Sequence, residues 1–391
     1  MNRLEQNIKK MYLYQILNSM VFVAPVFILF VQENGLTLTQ AIYLQAIFAF
    51  TVVLFEVPSG YFADLYGRRQ SLILGSSIEL LGLVGLCLSS GFWSFFVSEL
   101  FIGVGIAFLS GANMALVYDT LKELDRSDEY KEIWGNITFY SLMSVAFSSI
   151  IGGLIASLEL RFTVYASLPF YFILIPLAYS LKEPKRTKSI VKKGYAKELW
   201  LMSKTLLHEN KKLRWIIVYS AVIMGFNQAA YPFYQDYFKL SGLDLVYFGV
   251  VFASFQVVAG YSSKYAHKIE SFIGDSYSLV MLTLLVSVSY LLMSQFIYLF
   301  SFTIIFLQQF IRGFRVIVVT DYINRIVDSE HRATILSIES FLGRFIYGLL
   351  LIIFGGVIKF YSMSVSLFLL GVMTFVFGGA VLLILKRNGI L

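Results

Sequence analysis

The sequence is poor in the residue types that build catalytic centres and covalent cross-links. Cys87 is its only cysteine, which excludes an intramolecular disulfide, and its three histidines are too few to suggest a histidine-based metal site. The G-x-x-x-x-G-K-[ST] loop that holds the phosphates of ATP in many proteins is absent. We therefore expect no enzymatic activity, no cofactor and no metal ion.

Charge is also scarce. Charged residues make up 14% of the 391 residues, hydrophobic residues 58%, and the mean hydropathy is +0.74, whereas a soluble domain usually contains about 25% charged residues. A bilayer core requires about 20 apolar residues per helix. Twelve runs of the sequence qualify and predict an all-α membrane protein with twelve transmembrane helices, numbered here as spans 1 to 12: 11–31, 39–63, 71–90, 94–118, 137–157, 163–181, 215–235, 244–263, 276–294, 296–320, 333–354 and 363–385.

The basic residues are distributed unevenly between the predicted loops. Only Arg161, Lys239 and Lys359 fall in the loops on one side, while the stretch 182–214 on the other side has eleven basic and three acidic residues. Because positive loops stay in the cytoplasm, we expect a multi-pass protein of the inner (cytoplasmic) membrane with both termini cytoplasmic. The basic surface then contacts anionic lipids, and we expect no nucleic-acid partner.

The basic stretch 182–214 is a predicted linker between an N-terminal half, 1–181, and a C-terminal half, 215–391, with six spans each. Short internal repeats at offsets near 200 support this division. They are Gly60-Tyr61 with Gly260-Tyr261, Arg68-Arg69 with His267-Lys268, the segment 150–155 with 353–358, and Asp119 with Asp321. We therefore predict two parallel, pseudo-symmetric six-helix halves.

The turn between spans 2 and 3 contains the most specific motif. The segment 56–69 reads EVPSGYFADLYGRR and places Gly60, Asp64, Gly67, Arg68 and Arg69 in the pattern G-x-x-x-D-x-x-G-R-R. This pattern resembles the hallmark of the major facilitator superfamily, and the segment 332–337, RATILS, resembles the start of span 11 in one bacterial branch of it. The resemblance implies a secondary transporter whose two halves give alternating access to a mid-membrane site. It also implies a monomer, since one copy forms the whole pathway.

The turn residues are candidates for a gate. Asp64 can accept hydrogen bonds from a helix N-terminus, where the dipole favours an anion, and the resemblance suggests span 11 as that helix. Arg68 and Arg69 can pair with Asp119 at the end of span 4 or with lipid phosphates. In the alternative interpretation, the basic residues only anchor the loop on the cytoplasmic side.

Two arginines are predicted inside span 10. Arg312 and Arg315 are three positions apart and share one helix face. An arginine at the bilayer centre costs about 2.5–3.5 kcal/mol, so we expect both to face the protein interior and bind an anionic or strongly polar substrate group. In the alternative interpretation, Arg315 reaches the headgroups or pairs with an acidic residue: Asp321, Asp119 or Glu339.

Uncharged polar residues in spans that the family fold turns inward extend this candidate site. They are Asn18, Asn113, Asn227, Gln228, Gln308 and Gln309. Hydrogen bonding between helices is their alternative role.

Three carboxylates are candidates for proton coupling: Glu56 in span 2, Glu79 in span 3 and Glu99 in span 4. A carboxylate withdrawn from water can take up a proton near neutral pH. Glu99 is the first choice, because it occupies the approximate place of an arginine in related sequences. A permanently neutral or hydrogen-bonded carboxylate is the alternative.

Glu339 and Arg344 in span 11 are expected to be structural charges. They are five positions apart, whereas neighbours on a helix face are three or four apart. Each is therefore expected to pair across helices, because a buried charge needs a partner.

These observations lead to a secondary active transporter of a small molecule, coupled to a proton or another ion. Proton-coupled efflux of an amphipathic small molecule or metabolite is the first hypothesis, and it rests on the branch resemblance. Uptake or exchange of an anionic metabolite is the alternative, motivated by Arg312 and Arg315. A non-transport sensor or scaffold is not expected, although fold alone does not decide function.

Overall fold

The computed structural model describes residues 3–185, 210–327 and 332–389. Within these ranges the chain is helical, with short connections and no β-strand. Eleven helices are long and apolar enough to cross a membrane. The described residues form two compact units, the first from Met1–Lys193 with Leu245–Ala253 and the second from Gly194–Asp244 with Ser254–Leu391. Most of the predicted linker 182–214 lies outside the described ranges.

The helices of the N-terminal part of the chain are α1 (Arg3–Asn18), α2 (Phe27–Glu33), α3 (Leu38–Tyr66), α4 (Arg68–Leu88), α5 (Phe92–Glu123), α6 (Tyr130–Ala156) and α7 (Leu160–Ser180). Those of the C-terminal part are α8 (Lys211–Ala229), α9 (Tyr234–Leu240), α10 (Leu245–Ile273), α11 (Asp275–Gln295), α12 (Ile305–Asn324), α13 (Arg332–Phe360) and α14 (Met363–Arg387). Spans 2 to 12 correspond to these candidate membrane helices, with α8 and α9 together forming span 7.

The first predicted span, 11–31, is not one continuous helix. Helix α1 ends at Asn18, and the chain resumes as a 3₁₀ turn, Ala24–Val26, followed by α2. Pro25 lies in that turn, where its missing N–H and fixed φ favour the start of a helix over its continuation. The same break recurs between α8 and α9, where Pro232 lies in the 3₁₀ turn Tyr231–Phe233.

Two pairs of helices have equal lengths in the two parts of the chain, but the register predicted between spans 2 and 8 is wrong. Helices α3 and α10 each contain 29 residues, and α4 and α11 each contain 21. Both pairs are joined through one glycine, Gly67 or Gly274, so equivalent positions differ by 207 rather than 200. His267-Lys268 therefore lies inside α10 and is not the counterpart of Arg68-Arg69. Gly60-Tyr61 and Gly260-Tyr261 therefore do not occupy equivalent positions in α3 and α10.

Small residues bring α4 and α5 together in the first unit. A Cβ atom placed on Gly105 of α5 would lie 2.7 Å from the Cβ of Glu79 on α4, and one placed on Gly75 would meet Leu109 at 2.6 Å. Neither position has room for a larger residue. This packing buries Glu79 between two helix backbones.

Candidate functional site

Arg68, at the turn between α3 and α4, contacts two acids, Asp64 of α3 and Asp119 of α5. Its Nη1 lies 2.6 Å from Oδ1 of Asp64, one helical turn back, and its Nε lies 3.7 Å from Oδ2 of Asp119 at the end of α5. The three side chains are 21–25% exposed, so water screens these pairs only in part. Gly60 lies one turn before Asp64 on α3.

Glu183, which the sequence analysis did not select, caps the same turn. Its two carboxylate oxygens accept hydrogen bonds from the backbone N–H groups of Arg68 and Arg69, at 2.9 and 2.8 Å. These are the first N–H groups of α4, where the helix dipole favours an anion. Gly67 has φ 123°, and a Cβ atom there would lie 2.8 Å from Oε1 of Glu183. An acid just after span 6 was the only available signal in the sequence.

Two residues that precede Glu183, Tyr179 and Lys182, attach this end of α7 to its neighbours. The guanidinium of Arg69 donates to the carbonyl of Tyr179 at 2.7 Å, and Asn7 exchanges two hydrogen bonds with the backbone of Lys182 at 2.7 and 2.9 Å. Asn7 is fully buried. The end of α7 and the residues that follow it thus hydrogen bond to the turn between α3 and α4.

Glu79 is buried in the first unit among neutral partners. It is 4% exposed, and the amide nitrogen of Asn18 donates to its Oε2 at 3.2 Å. The hydroxyl of Tyr171 donates to the backbone carbonyl of Asn18 at 2.9 Å. In the described part of the chain, no lysine or arginine lies within ion-pair distance of Glu79. A negative charge at this position has no compensating charge.

Glu99 and Glu56 occupy different surroundings. Glu99 is 4% exposed on α5, one turn from Phe95, whose ring packs against Phe30 at 5.6 Å. It has no ion-pair partner among the described residues. Glu56 is half-buried on α3, shortly before Pro58. The structure therefore separates the three carboxylates, and the side-chain amide of Asn18 donates to Glu79.

Arg315 forms a buried ion pair in the second unit. Its Nη1 lies 2.5 Å from Oε1 of Glu339 on α13, and both residues also hydrogen bond with the hydroxyl of Ser220, at 2.8 and 2.5 Å. The pair is therefore compensated within the unit. Arg344 lies five residues further along α13, half-buried and outside this contact.

Arg312 is half-buried and bonds to a neutral group. Its Nη2 donates to Oε1 of Gln256 on α10 at 2.8 Å. No acidic side chain of residues 3–185, 210–327 or 332–389 lies within ion-pair distance of it. The residue lies near the middle of the candidate span Ser301–Asn324, about 14 Å along the axis from Asp321 at 1.5 Å per residue. A guanidinium without a counter-ion can receive an anion at this depth.

A connected set of uncharged groups lies beside Arg312 on α12. Asn227 donates to the backbone carbonyl of Gln308 at 3.0 Å, which joins α8 to α12. Gln308 and Gln309 both contact the hydroxyl of Tyr234. Gln228 is half-buried next to Asn227.

Asn113 lies in the first unit, apart from this set. It is 6% exposed on α5, and its Oδ1 has no hydrogen-bond partner. The predicted polar residues therefore divide between the two units, with Asn18 at Glu79. Within the described ranges, no group of three or more His, Cys, Asp or Glu side chains could hold a metal ion.

A family model and one curated relative match this chain. The profile described as Major Facilitator Superfamily matches residues 11–338. An uncharacterised transporter of Buchnera aphidicola subsp. Acyrthosiphon pisum (strain APS) is 24% identical over 319 residues, covering 77% of each chain.

Solved structures share the fold at low sequence identity. The nucleoside transporter NupG aligns with a TM-score of 0.78 at 14% identity, over 99% of this chain and 100% of its own. A POT family transporter solved in complex with 5-aminolevulinic acid aligns with a TM-score of 0.71 at 12% identity, over 98% and 96%.

Proposed function

Because the chain belongs to the Major Facilitator Superfamily of transporters, we propose that it moves a small organic anion together with a proton. Arg312 binds the anionic group and Glu79 carries the proton. An anion site combined with a proton carrier favours uptake, or an exchange in which one half-cycle is uptake. Of the two hypotheses from the sequence, the transport of an anionic metabolite thus has the stronger support.

The uncompensated charge of Arg312 is the single observation on which the proposal rests. Arginine near the bilayer centre costs about 2.5–3.5 kcal/mol even on the lower scale, and the amide oxygen of Gln256 offers only a partial negative charge. A carboxylate or phosphate would supply the missing charge through charge-assisted hydrogen bonds, which are about twice as strong as neutral ones. Arg315 does not need an anionic ligand, because Glu339 already neutralises its charge.

Glu79 supplies the matching site for a proton. The Asn18 amide donates to Glu79, and no cation of the described residues lies within ion-pair distance. The ionised carboxylate is therefore buried without an opposite charge, whereas the protonated carboxyl is neutral and does not need one. Moving a monovalent anion into a cell against 100 mV costs about 2.3 kcal/mol. One proton carried with it removes that electrical cost. Glu99 remains an alternative carrier, because it is equally buried.

Efflux of an amphipathic molecule is a second candidate, and a cluster of aromatic rings in the second unit is compatible with it. Tyr231 and Tyr234 pack with centroids 5.9 Å apart, and Tyr234 and Phe255 with centroids 5.7 Å apart. Such rings can hold the apolar body of an organic solute. The same rings would also pack against an organic anion, so they do not favour efflux over uptake.

The turn at Gly67 is proposed as the cytoplasmic gate of this transporter. The contacts of Arg68 with Asp64 and Asp119 connect α3, α4 and α5 at one end of the first unit. Breaking them requires separating partly buried opposite charges, which makes the turn suited to two discrete arrangements. The proposal includes cytoplasmic termini, because the basic loops lie at this end.

The experiment is a binding measurement on the purified protein in lipid nanodiscs. Pools of monocarboxylates, dicarboxylates and sugar phosphates are tested for raising the unfolding temperature, beside pools of organic cations and neutral drugs. We expect an anion pool to stabilise the wild type but not Arg312→Gln, with partial retention in Arg312→Lys. The control is Arg126→Gln, which changes an arginine that is 43% exposed and pairs with Glu129, three residues further along the chain. Stabilisation by cations or neutral drugs alone would contradict the proposal.

A further inference from the structure

Gln309 of α12 carries a buried acceptor that no described group satisfies. The residue is 4% exposed, its Nε2 lies 3.4 Å from the hydroxyl of Tyr234, and its Oε1 has no hydrogen-bond partner. Buried polar atoms in native proteins are nearly always paired, so an exception needs an explanation. An amide can be turned by 180°, and the explanation depends on which of its ends is the unpaired one.

The neighbouring hydrogen bonds fix the amide of Gln308 first. The hydroxyl of Ser289 donates to the backbone carbonyl of Val286 at 2.8 Å. Its single hydrogen is used there, so its oxygen can only accept from Gln308, whose Nε2 lies 2.9 Å away. Gln308 therefore directs its Oε1 towards the hydroxyl of Tyr234.

Tyr234 then fixes the amide of Gln309. Its hydroxyl hydrogen is donated to Oε1 of Gln308, so towards Gln309 the phenol oxygen can only accept. Gln309 must present its Nε2 to Tyr234. Its Oε1 is consequently the unpaired atom, and it is an acceptor.

Arg312 lies one turn further along α12 and presents hydrogen-bond donors, whereas Gln309 presents an acceptor. Residues three apart on a helix have Cβ atoms about 5–6 Å apart on one face. Among the residues that the structure describes, one face of α12 thus offers a cation without a counter-ion and an acceptor without a donor.

We propose that Gln309 and Arg312 together select an anion that carries a hydroxyl or amine hydrogen close to its anionic group. The anionic group binds the guanidinium, and the O–H or N–H donates to Oε1 of Gln309. Hydroxy acids, amino acids and polyol phosphates have this chemistry. The inference rests on the proposed function, because it requires that Arg312 bind an anion.

Pairs of probes that differ by one hydroxyl test this selection in binding titrations of the full-length protein in nanodiscs. The pairs are lactate with propionate, malate with succinate, and glycerol 3-phosphate with propyl phosphate. An analogue without the donor leaves Oε1 of Gln309 unsatisfied, so we expect at least one hydroxylated member to bind about tenfold tighter or more than its partner.

Two variants separate selection from folding. Gln309→Met keeps the volume but removes the acceptor, and we expect it to bring the affinity ratio of the pair close to one. Tyr234→Phe releases the orientation of the amide and should reduce the ratio as well. Gln295→Met, at the exposed end of α11, is the matched control and should retain the wild-type ratio.

The outcomes distinguish the two proposals. If the anions bind in an Arg312-dependent way but the wild type binds both members of every pair equally, the selection is refuted while the proposed function stands. Retention of the preference in Gln309→Met refutes the selection in the same way. If none of the six anions binds with any dependence on Arg312, both proposals fail.

Discussion

Replacing Gly67 by alanine should destabilise the protein through two separable effects. The residue has φ 123° and ψ 153°, a region that is nearly restricted to glycine and costs other residues about 1–3 kcal/mol. The new Cβ would also lie 2.8 Å from Oε1 of Glu183, which displaces the carboxylate that caps α4. Loss of such a cap costs about 0.5–2 kcal/mol. The two costs together amount to about 1.5–5 kcal/mol.

The structure provides a matched control for the first effect. Gly274 occupies the equivalent turn with φ 83° and ψ 162°, but a Cβ atom there meets no heavy atom within 4 Å. Gly274→Ala should therefore show the backbone strain alone. Glu183→Ala should remove the cap alone, and adding it to Gly67→Ala should cost less than the sum of the two single changes.

Thermal unfolding in detergent, followed by tryptophan fluorescence, measures these differences. At about 2–4 °C per kcal/mol, the scale for domains of roughly 150–250 residues, Gly67→Ala should lower the midpoint by about 3–20 °C. A fluorogenic maleimide gives a second readout, because Cys87 is buried and is the only cysteine of the chain. The reasoning would be refuted if Gly67→Ala left the midpoint within about 1 °C of wild type. It would also be refuted if Gly67→Ala and Gly274→Ala had equal effects and the effects of Gly67→Ala and Glu183→Ala were additive.

Three further predictions concern buried charges. Glu339→Gln leaves Arg315 without its counter-ion and should lower stability by about 3–5 kcal/mol in denaturation, with most of the loss recovered when Arg315 is also made Gln. Glu79→Gln should fold normally but lose the acceleration of uptake by an imposed pH gradient; retained acceleration would assign the proton to another group. Arg161→Leu removes a guanidinium that donates to the carbonyl of Cys87 at 2.5 Å, so thermal scans should show a loss of about 1.5–3 kcal/mol and faster maleimide labelling of that cysteine.

Apolar length and local motifs made much of this fold predictable. Runs of about 20 apolar residues identified the membrane helices, and the positions of Arg312 and Arg315 inside one run identified the costly charges. The break at Pro25 was missed, because hydropathy does not register where a helix is interrupted. The register between spans 2 and 8 was missed because the Gly-Tyr pairs lie at different distances from the glycines that end α3 and α10.

The candidate site depended more on contacts that sequence spacing does not contain. Arg315 and Glu339 are on different helices, so their pairing was one of several alternatives until the structure joined them. Glu183 caps the turn only because the chain leaving α7 passes back to α4. The unpaired oxygen of Gln309 follows from the donors around it, which come from three helices.

Uptake into proteoliposomes tests the central claim most directly, because the pH gradient and the membrane potential can be imposed separately. For a monovalent anion carried with one proton, we predict that an acidic exterior drives uptake and that an imposed membrane potential does not change it. We also predict that Arg312→Gln abolishes uptake. Uptake that follows the potential without a response to pH, or that proceeds at the wild-type rate in Arg312→Gln, would contradict the account.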